Sequence, residues 1–397
     1  MKEDETVLLC FMSVLFQTME SNITQGNDSS ILECSQYSQW DESFLDIFSY
    51  WTEGVLQTFC AILGIIGNFL AGLILSRKSM KNVFNLLLVT LAIFDSTYLF
   101  GSILESFRKS FNLATNTHII LFPHMLYPIT QISIAGSIFM TVAIALERYI
   151  AVHYPLTYNQ AMHESNALPK RIAKYISCVL FLSLLFSFTR FFEAEVRYDP
   201  ENPLTPYLKP TVLRTNSMYV LYFNWSRLIV LGIIPFMLLV FFNVSIYKAI
   251  QARRKRRHKP DVTQMTTTMG EPKEHSASSK KIVNSVREQH VNETRSKKED
   301  NLAVIFMAFI LVFLICHLPR LLLNIHELLT ITETMECQKR GHFSFSLMSM
   351  VSISVSHFLL VVNSSTNIII YCALSSKFRV ECNTVYTSLC RRLTGFY

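Results

Sequence analysis

Seven stretches of the chain are almost continuously apolar and long enough to cross a bilayer, which takes about 20 residues of helix. They are Gly54–Ser76, Val83–Leu104, Ile119–Val152, Ile172–Phe192, Met218–Ile250, Asn301–Leu329 and Phe343–Leu374. The short alternating segments of a transmembrane β-barrel do not fit this pattern. Backbone groups facing lipid must be bonded within their own segment, so the pattern predicts an all-α membrane protein built as a seven-transmembrane helix bundle. A short amphipathic helix is expected after the last span. The organisation is therefore an N-terminal segment 1–53, a bundle domain 54–374 containing a long polar connection at 251–300, and a tail 375–397.

Composition agrees with this class and excludes others. Half of the 397 residues are hydrophobic, only 16% are charged, and mean hydropathy is +0.30. A soluble chain of this length would carry about 25% charge. The connection 251–300 holds thirteen bases against seven acids and is rich in Ser, Thr, Lys and Glu, a composition that favours disorder and phosphorylation. Its run Arg253-Arg254-Lys255-Arg256-Arg257 suits lipid headgroups or an acidic cytosolic partner. A nucleic-acid partner does not suit a loop tethered to a membrane. The seven runs show no matching halves, which weighs against an inverted-repeat transporter.

Charge bias sets the expected orientation. Residues 1–50 hold one base against nine acids, whereas Arg77, Lys78 and Lys81 follow the first run with no acid among them. By the positive-inside rule the N-terminus is outside and, after seven crossings, the C-terminus is cytoplasmic. The acceptor sequons at Asn22 and Asn27 then lie on the glycosylated side. The apolar run Val7–Phe16 resembles a signal-peptide core, but its acidic flank of Glu3, Asp4 and Glu5 argues against a cleaved signal.

Ionisable and amide groups inside the spans mark function, because they are costly there. Asp95 sits in the second run, with Asn68 in the first, Ser137 in the third and Asn363, Ser364 and Asn367 in the seventh. One carboxylate amid hydroxyl and amide oxygens suits a Na⁺ ion. A polar cluster that holds helices together, or a proton relay, are the alternatives. No other cofactor is called for.

The ordered set Gly67-Asn68, Leu91-Ala-Ile-Phe-Asp95, Glu147-Arg148-Tyr149 with Pro155, Pro235, Phe313-Leu-Ile-Cys316-His317-Leu-Pro319 and Asn363-Ser-Ser-Thr-Asn367-Ile-Ile-Ile-Tyr371 resembles the rhodopsin-like G-protein-coupled receptors. Arg190-Phe-Phe-Glu193 and the Asn-Ser-Ser-x-Asn stretch closing on Tyr371-Cys372 further resemble the FMRFamide-type neuropeptide receptors of invertebrates. The resemblance implies a plasma-membrane receptor, not an enzyme, that binds an amidated neuropeptide and activates a heterotrimeric G protein, with receptor kinases or arrestin as further partners. It implies that Glu147, Arg148, Tyr149, Pro155, Leu156 and Tyr371 serve coupling. Ile138, Pro235, Phe313, His317 and Pro319 would form the packing core that relays activation.

The chain also departs from the family pattern. His317 stands for the usual tryptophan and Ile368 for the usual proline of the seventh helix, so that helix is expected to kink less. The helix-four tryptophan is missing. Pro123 stands where the family carries a cysteine, and Glu193–Met218 contains none, so the usual extracellular bridge is absent. Of the nine cysteines, Cys10, Cys34 and Cys337 fall on the extracellular side, where Cys34 and Cys337 can bridge and leave Cys10 over. Cys382 and Cys390 lie in the basic tail as palmitoylation candidates.

Ligand class follows partly by exclusion. Val361 and Val362 stand where a retinal lysine would be needed, and Thr130 stands where amine receptors carry an aspartate. Glu105, Glu193, Glu195 and Glu327 suggest an acidic rim for a basic peptide, with Arg320 resting on Glu105 in the empty pocket. The expected ligand-binding set is Glu105, Tyr127, Thr130, Gln131, Arg320, Asn324, Glu327 and Phe345. A receptor for another small ligand is the nearest alternative. A transporter or channel lacks a continuous charged path, and an intramembrane enzyme lacks paired catalytic groups.

Overall fold

The computed structural model describes residue 34 and residues 37–162, 166–200, 204–257, 307–339 and 345–394. Asn22, Asn27, Cys10, residues 258–300 of the long connection and the side chain of Cys390 lie outside the described residues. Among the described residues, seven helices are long and apolar enough to cross a membrane. They are α1 (Gln39–Leu75), α2 (Val83–Lys109), α3 (Asn116–His153), α5 (Ala167–Phe192), α6 (Ser217–Arg253), α7 (Met307–Leu329) and α9 (Leu347–Ser365). Between them come α4 (Pro155–Met162), an antiparallel hairpin of β1 (Ala194–Tyr198) and β2 (Pro206–Pro210), and α8 (Ile331–Lys339). After α9 follow α10 (Asn367–Leu374) and α11 (Ser376–Thr394).

The apolar runs locate every span but misjudge several ends. α1 begins at Gln39 and not at Gly54, so it crosses the boundary expected at residues 53 and 54. Ser38 starts it with a capping box: its hydroxyl accepts from the Asp41 amide at 3.2 Å, and Asp41 accepts from the Ser38 amide at 2.9 Å. These polar signals precede the apolar run, which is why hydrophobicity alone missed them. α2 is capped by Asn82, which accepts from the Asn85 amide at 2.8 Å, and continues past Leu104 to Lys109. Pro155 and Leu156 start a short helix, with Pro in the first position where its missing N–H costs nothing.

α3 is the axis of the bundle, packing against α2, α5 and α6, while α1 packs on α2 and α9. Two glycines permit close approaches: a Cβ on Gly136 would overlap the Phe94 ring, and one on Gly64 would overlap Ser365. The core runs through the lower bundle, where Leu87 and Leu91 of α2, Met140 and Ile144 of α3, Ile246 of α6 and Ile310 of α7 are fully buried.

The seventh span breaks close to Ile368. The helix is interrupted at Thr366 although no proline is present, and α10 restarts at Asn367. The Ser365 hydroxyl donates back to the Val361 carbonyl at 2.7 Å and to Cys60 of α1 at 3.0 Å, a back-bonding that bends helices. Side-chain hydrogen bonds thus accompany the interruption. Below the break, Phe378 of α11 is fully buried against Tyr371, their rings 5.6 Å apart.

Candidate functional site

A cavity of about 1140 Å³ opens at the end of the bundle nearer Cys34, between α2, α3, α6, α7 and α9, with the β-hairpin along its rim. Helical spacing places His317, Arg320, Asn324 and Glu327 on one face of α7, and all four line it. Glu105 of α2, Tyr127, Thr130 and Gln131 of α3, and Phe345 before α9 line it too. Ile138, Pro235, Phe313 and His317 form the inner end, where the Phe313 and His317 rings stack at 4.0 Å. Pro319 is not among the lining residues. Cys34 and Cys337 are disulfide-bonded with Cα atoms 5.6 Å apart, which fastens the segment before α1 to α8 beside the cavity mouth. The Tyr37 hydroxyl donates to the Phe345 carbonyl on the same side.

The charges around the cavity are arranged differently from the expected acidic rim. Glu105 does not hold Arg320. It is paired within α2, 2.6 Å from Arg108 and 3.0 Å from Lys109, because bases three and four residues on share its helix face. Glu327 pairs with Arg227 of α6, and Glu195 with Arg197 at 2.8 Å. Glu193, 2% exposed, is bonded by Arg190 at 2.7 Å, Tyr219 at 2.7 Å and Tyr127 at 3.1 Å. Arg190 also faces the Phe223 ring at 3.8 Å. Arg320 instead lies 3.5 Å from Ser356 Oγ and 3.5 Å from His357 Nε2, while His357 Nδ1 is 3.1 Å from Glu53.

Deeper in the bundle, Asp95 accepts from Ser137 at 2.7 Å, from Ser364 at 3.0 Å and from Asn367 Nδ2 at 2.7 Å. Asn363 makes no hydrogen bond to it: successive helical residues are about 100° apart, so facing Ser364 inward turns Asn363 away, while Asn367, three residues on from Ser364, returns to the same side. Asn68 donates to the Ser364 carbonyl at 2.9 Å, leaving its own buried Oδ1 without a partner. That orphaned oxygen, with one carboxylate and two hydroxyls, is a donor set of the hard, oxygen-rich kind.

At the far end, Glu147 is 1% exposed and bonded by Arg171 at 2.9 Å, Tyr158 at 2.8 Å and Tyr175 at 2.9 Å. Burial, then the charge of Glu147, pushes the Tyr158 hydroxyl up to about 12. The Arg148 guanidinium lies over the Phe84 ring at 3.4 Å. Tyr149 stacks on His153 at 4.2 Å, while Leu156 is exposed and Tyr371 buried.

The model of the seven-transmembrane receptors of the rhodopsin family matches residues 67–371, which contain the Asp95, Glu147 and Asn367 clusters. The chain belongs to the rhodopsin family of seven-transmembrane receptors. It is 28% identical to an FMRFamide receptor of Drosophila melanogaster over 83% of this chain and 53% of that protein. It is 27% identical to an FMRFamide peptide receptor of Caenorhabditis elegans over 81% of this chain and 67% of that one. A melatonin receptor type 1A of Mus musculus is 24% identical over 85% of this chain and 81% of its own length. The chain thus spans about half the length of the fly receptor.

Several residues that shape this receptor's cavity were not singled out from the pattern. Arg227 sits within the fifth apolar run, and an intramembrane cation is itself a functional signal that could have been read. Glu53 and His357 come together only through the packing of α1 on α9. Tyr219 and Phe223, one turn apart on α6, had no distinguishing sequence mark.

Proposed function

We propose that this rhodopsin-family chain is a plasma-membrane receptor that takes a short amidated peptide into the cavity and, in response, activates a heterotrimeric G protein at the opposite end. One observation carries the reading: the large cavity ends inward on Ile138, Pro235 and Phe313. A ligand seated there presses on packed side chains that have alternative arrangements, which is how local contact becomes helix movement. The names of the fly and worm relatives supply the ligand class. The orientation follows the charge bias, with the N-terminus outside and Asn22 and Asn27 on the glycosylated side. Basic residues and Cys382 and Cys390 of the tail suit membrane lipid and palmitoylation, and the cytoplasmic face would also meet receptor kinases or arrestin.

Arg148, with Glu147, Tyr149, Pro155 and Leu156 near it in sequence and Tyr371 of the seventh span, would form the coupling end. A planar guanidinium suits backbone carbonyls of an inserted partner helix. Na⁺ fits the middle cluster: Asp95, Ser137, Ser364 and the unpartnered Asn68 oxygen would hold it. It would supply counter-charge to Asp95.

The test is nucleotide exchange on G protein in membranes from cells expressing the chain, challenged with Phe-Met-Arg-Phe-amide and a panel of other amidated peptides. An amidated peptide should drive exchange, its free acid should not, and Arg148→Ala should remove most of the response at normal surface level. Undiminished exchange in that variant, or no response to any amidated peptide, would overturn the reading.

A further inference from the structure

The cavity wall carries seven arginines and lysines against four glutamates among the described residues. Each glutamate already has a basic partner: Glu105 has Arg108 and Lys109, Glu193 has Arg190, Glu327 has Arg227, and Glu53 has His357. Lys209, Arg214 and Arg320 are left over; Lys209 and Arg214 are exposed, so the one set within the bundle is Arg320. Among the described residues it forms no ion pair, and its two polar contacts, to Ser356 and His357, are both 3.5 Å, at the long limit of a hydrogen bond. The imidazole does not substitute for an acid. With Nδ1 donating to Glu53, Nε2 offers Arg320 only a neutral lone pair.

A half-buried guanidinium among apolar helices is costly until an anion meets it, and its flat fork of N–H groups matches a carboxylate. Arg320 lines the cavity, one turn from Asn324, whose buried Oδ1 also has no partner. His317 lies on the same face toward the inner end. Resting on the reading of the chain as a peptide receptor, we propose that Arg320 is the anchor for a carboxylate of the ligand, deep in the cavity beside Asn324. The sign is opposite to that suggested by an acidic rim. In an amidated peptide this carboxylate is an Asp or Glu side chain; in a peptide with a free end it is the C-terminus.

The experiment uses purified full-length receptor and two isosteric probes at millimolar concentration, 3-phenylpropanoate and 3-phenylpropanamide. The acid should raise the melting temperature of the wild type and of Arg320→Lys, while the amide leaves both unmoved. Arg320→Gln should lose the response to the acid. Because the acid and amide are compared on the wild type, the outcome does not depend on that variant folding. Equal shifts from the two probes, or a full shift from the acid on Arg320→Gln, would overturn the assignment whatever any peptide does.

Peptide arms then separate the two sources. Asp or Asn is placed at each position of Phe-Met-Arg-Phe-amide in turn, and Phe-Met-Arg-Phe is tested as its free acid. A side-chain carboxylate predicts one Asp peptide at least about tenfold more potent than its Asn twin, about 1.4 kcal/mol, with the advantage gone on Arg320→Gln. A terminal carboxylate predicts that advantage for the free acid, and would reject the amidated-peptide reading while keeping the Arg320 site. A shift with the small acid but no response to any peptide would do the same.

Discussion

Glu147 and Glu193 lie at opposite ends of the bundle and are satisfied in the same way, each by one arginine and two tyrosine hydroxyls. Asp95, between them and as deeply buried at 1% exposure, receives only neutral donors. The two glutamate clusters join α3 to α5, with Tyr127 and Arg190 at one end and Glu147 and Arg171 at the other. They are fixed ties between helices. Asp95 has no fixed counter-charge, which leaves its site open to a mobile one. The Arg190 cluster also explains how the hairpin stays on α3 although Pro123 occupies the place of the family's cysteine: Glu193 precedes β1 and is anchored to Tyr127.

Breaking the tie at the cavity end should have the largest effect. Arg190 is 9% exposed and also lies over Phe223, so Arg190→Ala leaves a buried carboxylate without its cation and removes a ring contact. Losing one partner of a buried pair costs about 3–5 kcal/mol. The purified variant should melt well below the wild type and bind ligand poorly, and Glu193→Gln in the same chain should restore part of the stability. A melting temperature unchanged by Arg190→Ala would show that the cluster is not a tie.

Arg171→Ala should cost less, about 2–3 kcal/mol, because the Arg171 side chain is 22% exposed and water can partly replace it while Tyr158 and Tyr175 still bond Glu147. If the two arginine variants lost equal stability, the comparison between the two ends would gain symmetry that the burial does not suggest. Thermal unfolding of the two variants side by side decides it.

For Asp95 the contrast predicts a change in ion response and little change in folding. If Na⁺ favours the resting state, linkage requires agonist affinity to fall as Na⁺ rises. The wild type should bind agonist more weakly, by about tenfold or less, in Na⁺ than in N-methylglucamine, a coupling within the usual 1–3 kcal/mol. Asp95→Asn should remove the difference. Equal affinities in both salts would make Asp95 a third tie, built from neutral donors.

These clusters show what could be read in the sequence and what could not. The spans were legible because the bilayer demands a run of apolar residues whatever the neighbours do. Asp95 was legible because a carboxylate inside such a run is rare. Ser137, Ser364 and Asn367 of the expected set do bond it, whereas Asn363 faces away because it is one helical step, about 100°, from Ser364, a phase that a hydrophobic run does not reveal. The pairing of acids was the harder matter. Glu105 and Arg108 are three residues apart, and helix geometry alone would have joined them, whereas Arg227 and Glu327 meet only because α6 packs on α7. An acidic rim inferred from acids alone overlooks the bases that fold back onto them.

The smallest expected effect belongs to Tyr158, the outermost member of the Glu147 cluster, on α4. Tyr158→Phe deletes one hydrogen bond to a charged acceptor that keeps Arg171 and Tyr175, which should cost about 1–2 kcal/mol. The deletion also has a pH signature. The folded hydroxyl is held neutral beyond its ordinary value of 10.0, to about 12, so the folded state binds this proton more tightly than the unfolded chain does. Its contribution is therefore complete below about pH 10 and is lost as pH rises toward about 12. The stability gap between wild type and Tyr158→Phe should be constant from about pH 6 to 9 and narrow above that range. A gap that stayed constant into the alkaline range would mean that the hydroxyl donates to Glu147 too weakly to hold α4 against the bundle, and that Arg171 and Tyr175 alone make the tie.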